Sequence, residues 1–168
     1  MTKTSIMGVG FIGSRYRQLY PHETTPEPRD NTEPKEDDVL FLRSTTHNYH
    51  PKQGDLHTDI DTNLTHLALV LPNVRGVLNQ TSSWFVYGSA AGIHQDTPAR
   101  ETDPCDPNGF YSVTKLTSEK LIRSYCEMEG KSYRILRLCS VIGNDPRAGK
   151  QKGAIEMMIG KIVRGEDV

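Results

Sequence analysis

Tyr111 and Lys115 stand four residues apart in the segment YSVTK, a spacing that sets a phenol and an ammonium side by side on one helix face. A phenol loses its proton near pH 10 in water, and a cation beside it favours the phenolate. Such a pair makes tyrosine a general base able to take a proton from a hydroxyl. Among the seven tyrosines it is the one with a lysine at that offset. Ser82 and Ser83 close the apolar-to-polar run that precedes this helix, in TSSWFVYG. A serine hydroxyl there is placed to bind a substrate hydroxyl and pass its proton toward Tyr111.

A second chemical feature lies near the N-terminus. Gly8, Gly10 and Gly13 form G-x-G-x-x-G, with Phe11 and Ile12 between the last two, at a junction from strand to helix. In that pattern the first glycine permits a tight turn, the second lets backbone approach a pyrophosphate, and the third lets helix pack on strand. Unpaired N–H groups at the helix start then face the phosphates. The reading is a site for NAD or NADP, whose oxidised nicotinamide would further favour a phenolate at Tyr111. The ribose-binding side chain should follow the second strand. The candidates are Arg29, which suits a 2′-phosphate, and Asp30, which suits a free 2′-hydroxyl; the sequence leaves both open.

The elements that must position these residues alternate. Residues 4–7 read as a strand, and Ser14 to Tyr20 as a helix stopped by Pro21. Residues 22–38 are polar and proline-rich, with room for one short strand around Glu23–Arg29. Val39–Leu42 is a continuous apolar run suited to a strand buried on both faces. Asp59 to Leu71 carries Ile60, Leu64, Leu67, Ala68 and Leu71 at helical spacing before Pro72. A strand follows from Val77 to Ser83, then a loop over 90–109 rich in Pro, Asp and Gly. A long helix runs from Tyr111 to Glu129, with Val113, Leu116, Leu121, Ile122 and Tyr125 as its apolar stripe and Gly130 as its cap. Tyr133–Leu138 and Ala154–Arg164 read as the last strand and helix. This alternation predicts an α/β fold, a doubly wound parallel sheet of Rossmann type with a shortened second-strand region.

Composition fits one globular domain. The 168 residues are 35% hydrophobic and 24% charged, with a formal net charge of −1. No basic run supports a nucleic-acid partner, and no apolar stretch approaches a membrane span. Cys105, Cys126 and Cys139 are odd in number and widely spaced, as expected for reduced thiols, and no histidine or cysteine spacing suggests a metal. A cytoplasmic protein is expected.

Taken together, these segments resemble the extended short-chain dehydrogenase/reductase superfamily, in particular the NAD-dependent epimerase/dehydratase group that acts on nucleotide sugars. The resemblance rests on GVGFIG at 8–13, DIDTNL at 59–64, SSWFVYG at 82–88, ETDPCDP at 101–107, YSVTK at 111–115 and RLCSVIG at 137–143. It implies that Ser83, four residues before the tyrosine of the VYG motif, is the catalytic serine, and that Tyr111 is the general base. Lys115 would anchor the nicotinamide ribose and lower the phenol's pKa. Asn63 would support the site architecture, and Ser44, Thr45 and Thr46 would lie where cofactor ribose and phosphates pass. Departures are visible as well. Met7 stands where the family usually has its first glycine, Ser140 replaces an asparagine, and the stretch before Val39 is too short for the usual two strands.

The resemblance also implies a nucleotide-sugar substrate and a smaller substrate lobe, of which about 144–168 would be the beginning. On that reading residues 1–168 are the NAD(P)-binding domain. Alone they are expected to bind dinucleotide weakly, to self-associate as a homo-oligomer, and to leave Met157, Met158 and Ile162 on an exposed patch. Two further functions fit the same residues: an NADPH-dependent carbonyl reductase, and a non-catalytic dinucleotide-binding module.

Overall fold

The computed structural model describes residues 3–45, 56–88, 99–139, 141–143 and 154–166. Five parallel strands form one sheet: β1 (Thr4–Met7), β2 (Thr24–Pro26), β3 (Asp38–Phe41), β4 (Leu78–Ser83) and β5 (Tyr133–Leu138), in the order β2-β1-β3-β4-β5. The alternation of elements therefore gives the parallel sheet expected of it. β1 and β3 lie inside the sheet, and three of the four residues in each are buried, as continuous apolar strands require. β2 is a three-residue edge strand whose Pro26 sits where a missing N–H is tolerated. Residues 27–37 pass from β2 to β3 without a further strand, so the second-strand region is as short as its prolines suggest.

Chain order reverses between β1 and β3, because β2 lies on one side of β1 and every later strand on the other. Open α/β sheets bind ligands outside the carboxyl ends of their strands at such a switch point. Here that point holds Gly8, just after β1, and Leu42, Arg43 and Ser44, just after β3.

α1 (Phe11–Leu19) begins inside the glycine motif, three residues earlier than the apolar pattern suggests, with Gly10 as its N-cap. The middle helical region differs more. α2 (Leu56–Ile60) enters a π-helical turn over Asp61–Thr65, continues as α3 (His66–Val70) and closes in a 3₁₀ turn at Leu71–Asn73. Periodicity alone predicts one α-helix there. The wider turn is centred on Asn63, whose side chain is 1% exposed.

α4 (Phe110–Glu129) also departs from its expected stripe. Val113 is exposed, whereas Ser112, Thr114, Lys115, Ser118, Glu119, Ile122 and Cys126 are buried. The inward face is polar in the first half and apolar in the second, so an apolar periodicity finds the wrong side at Val113. The core itself gathers Met7, Val39, Phe41 and Leu78 from the sheet with Leu67, Val70, Leu71, Val74, Ile122 and Cys126 from the helical layer. Met7 is fully buried in that cluster, which is why this position carries a large apolar side chain in place of a turn glycine. α5 (Ala154–Val163) exposes Met158, Ile162 and Val163. Residues 144–153, at the expected start of a substrate lobe, lie outside the described residues, as do Thr46, Ser140 and the side chain of Met157.

Candidate active site

The glycine turn is built for close approach. Gly8 has φ +114°, a left-handed conformation, and a Cβ there would meet Arg43 N at 2.8 Å and Leu42 C at 2.9 Å. A Cβ on Gly13 would run into the Gly8 carbonyl, so α1 packs on the turn because residue 13 has no side chain. Gly10 is different: nothing lies within 4 Å of where its Cβ would stand. Two glycines are thus demanded by the protein's own packing, while the third borders open space at a helix N-terminus. The first turn of α1 has no acidic residue, and its leading N–H groups have no intrahelical acceptor. This arrangement fits a pyrophosphate.

The chemical residues come together beyond the ends of β3 and β4. Tyr111 enters on the first turn of α4, and its phenol is hydrogen-bonded by Ser44, from the β3 end, and Ser83, from the β4 end. Ser83 Oγ also accepts from Phe85 N at 3.3 Å, which fixes the hydroxyl at the mouth of the strand. The Ser82 hydroxyl is buried and has no partner among the described residues. Of the two adjacent serines, the geometry thus brings Ser83 to the phenol.

Lys115 lies 2% exposed beneath this group. Its Nζ donates to the Thr81 carbonyl at 3.0 Å and stands 5.9 Å from the centroid of the Tyr111 ring. Burial pulls the ammonium down to a pKa of about 8, and the carboxylate of Glu119 resists that fall. Lys115 and Glu119 continue the Tyr111 stripe at intervals of four, a pattern visible in the sequence once the stripe is followed inward. Arg137 in turn grips Glu119, Nη2 to Oε2 at 2.7 Å with Nε shared across both oxygens. The same guanidinium donates to the Tyr87 hydroxyl at 2.8 Å and lies over its ring. This network ties the VYG segment, α4 and β5 together behind the lysine.

The Tyr111 phenol is pushed above its ordinary value, first by burial and also by the charge of Asp59, while the hydrogen bonds of Ser44 and Ser83 pull it down. Lys115 turns its ammonium to the Thr81 carbonyl.

Asn63 reaches the site through the backbone of α4. Its Nδ2 donates to Thr114 Oγ1 at 3.0 Å, and that hydroxyl donates to the Tyr111 carbonyl at 2.8 Å. The π turn thereby fixes the register of the helix that carries Tyr111 and Lys115.

Arg29 and Asp30 are both exposed on the loop after β2. The acidic residue nearer the strand end is Glu27, 6% exposed, and its carboxylate is engaged on both oxygens. Oε1 accepts from Ser5 Oγ at 2.7 Å and Lys35 N at 2.9 Å, and Oε2 from Asn31 Nδ2 at 2.8 Å. Arg43 spans from β3 to this loop, its Nη2 donating to the carbonyls of Pro28 at 2.5 Å and Asn31 at 3.2 Å. Thr45, also buried, has a hydroxyl without a partner.

The sequence model of the NAD-dependent epimerase/dehydratase family matches residues 43–168. The chain belongs to that family. No curated protein matches it in sequence. Among solved structures, it is similar to the UDP-glucose 4-epimerase of Thermotoga maritima with UDP-glucose, with a TM-score of 0.79 and 18% identity, covering 100% of this chain and 65% of that one. The UDP-glucuronic acid 4-epimerase of Bacillus cereus in complex with NAD gives 0.75 at 18% identity, over 98% and 64%. RMD of Pseudomonas aeruginosa, complexed with NADPH, gives 0.72 at 22% identity, over 88% and 56%. These likenesses show a shared Rossmann-type fold, and the chain spans less than two thirds of each structure's length.

Proposed function

We propose that this chain forms the dinucleotide-binding and catalytic part of a nucleotide-sugar epimerase or dehydratase, with Tyr111 as general base. The observation that carries the reading is the convergence of Ser44, Ser83 and Tyr111 above a buried Lys115, beside a glycine turn left open at Gly10. Family membership and the nucleotide sugars named for similar structures support it.

The residues present fit NAD or NADP, as the space at Gly10 and the unpaired first turn of α1 indicate. Gly10, Phe11 and Ile12 would hold the pyrophosphate through backbone N–H groups, and Lys115 the nicotinamide ribose. When bound, the cofactor supplies a hydride acceptor that returns what it takes. The chain's own part is to hold and move the proton. Ser83 orients a sugar hydroxyl, and the Tyr111 phenolate accepts its proton as the C–H hydride leaves. The positive charge of an oxidised nicotinamide would oppose the burial that raises this phenol's pKa.

The test is incubation with catalytic NAD⁺ or NADP⁺ and a UDP-sugar. Epimerised or dehydrated product with no net reduced cofactor supports the reading. Stoichiometric oxidation of NADPH with a simple ketone, and no change in any nucleotide sugar, assigns the site to carbonyl reduction instead.

A further inference from the structure

Arg43 takes no part in the chemistry around Tyr111. It is 6% exposed, yet among the described residues its Nε and Nη1 have no hydrogen-bond partner. A buried cation with unpaired donors is uncommon and calls for an acceptor, since guanidinium is the side chain best suited to a phosphate or carboxylate. Its place is specific. The Arg43 backbone touches Gly8 of the glycine turn, and its side chain crosses to the loop after β2, where Rossmann-type domains grip the adenosine ribose.

On the same rim the carboxylate nearest the strand end is already engaged. A free 2′-hydroxyl is ordinarily held by a carboxylate at the end of the second strand. Glu27 occupies that position, but both its oxygens are engaged by Ser5, Asn31 and the Lys35 backbone. Two arginines, Arg29 and Arg43, remain as donors, opposed by the exposed carboxylate of Asp30.

We propose that Arg43 is a cofactor-specificity residue that accepts the 2′-phosphate of the adenosine ribose, so that the chain takes NADP(H) in preference to NAD(H). The inference rests on the dinucleotide site proposed above. Burial lowers the Arg43 pKa to about 10, with Asp30 opposing and Arg29 adding to the fall, so the guanidinium stays charged at neutral pH. An arriving phosphate would relieve a charge the fold holds out of water with part of its donor set idle. Asp30 works against that gain, and its removal should therefore sharpen the preference.

The test is calorimetric titration of the chain with NADPH and NADH, and with 2′-AMP and 5′-AMP as fragments. NADPH should bind at least about tenfold more tightly than NADH, and 2′-AMP more tightly than 5′-AMP, the scale of one charge-assisted guanidinium–phosphate contact. Arg43→Leu should remove the difference by weakening NADPH alone, and Asp30→Asn should widen it. Should Arg43→Leu fail to fold, the comparison of the four ligands on the unaltered chain decides the question. Equal binding of NADPH and NADH, or tighter NADH, overturns this assignment while leaving the dinucleotide site intact. Binding of neither overturns the site and this assignment together.

Discussion

Lys115 is costly where it sits. Its pKa falls from 10.5 to about 8 because a charged group is almost wholly removed from water. The unfolded chain therefore holds this proton more tightly than the folded one. Below about pH 8 both states are protonated and the full desolvation penalty is felt. Between about 8 and 10.5 the folded state loses the proton first, and stability contributed by this site rises with pH. The penalty at neutral pH is on the order of 3 kcal/mol. Comparing urea unfolding of the native chain and Lys115→Met at pH 7 and pH 10 isolates the effect: the native chain should gain on the variant as pH rises. A constant difference would show that Lys115 does not titrate in this range. Tyr111→Phe removes the proton acceptor and keeps the ring. In a form of the protein that turns over a nucleotide sugar, it should lower turnover by about 10²–10⁴-fold with dinucleotide affinity changed only a few-fold. Near-native turnover removes Tyr111 from the chemistry.

The glycines separate into two kinds at the scale of the strand–turn–helix unit, and substitution should separate them experimentally. Gly8→Val forces a branched side chain into a left-handed conformation against the backbone of residues 42 and 43. It should destabilise the fold by several kcal/mol, read as a lower unfolding midpoint. Gly10→Val projects into open space and should fold nearly as well as the native chain. Equal thermal stability of the two variants would contradict this division. The π turn makes a second prediction. Asn63→Ala removes the hydrogen bond to Thr114 and should cost about 1 kcal/mol in urea unfolding, with faster amide exchange in the first turns of α4. Unchanged exchange there would mean that the asparagine does not hold the helix.

Much of the molecule is legible in sequence because its strongest signals are local. The apolar run at 39–42, glycines at a strand end and a tyrosine four residues before a lysine each imply their element or its placement without tertiary information. What stays hidden depends on contacts made at a distance. The π turn leaves no mark on apolar periodicity, because it serves a polar bond from Asn63 to Thr114, 51 residues away. The inward face of α4 is misread at Val113 because its buried half is charged and hydroxylic, with Ser118, Lys115 and Glu119 held by Gln80, Thr81 and Arg137 on other elements. Arg43 reads as the polar residue that ends a strand, and only the packed structure buries it. Across the whole molecule, the central claim is that the β1–β3 switch point holds a dinucleotide with its nicotinamide end toward Lys115 and Tyr111. Calorimetric titration with NADPH and NADH of the native chain, Gly10→Val and Lys115→Met tests it most directly. Saturable one-to-one binding to the native chain, abolished in folded Gly10→Val and weakened in Lys115→Met, is the predicted result. Unaltered affinity in folded Gly10→Val would contradict it.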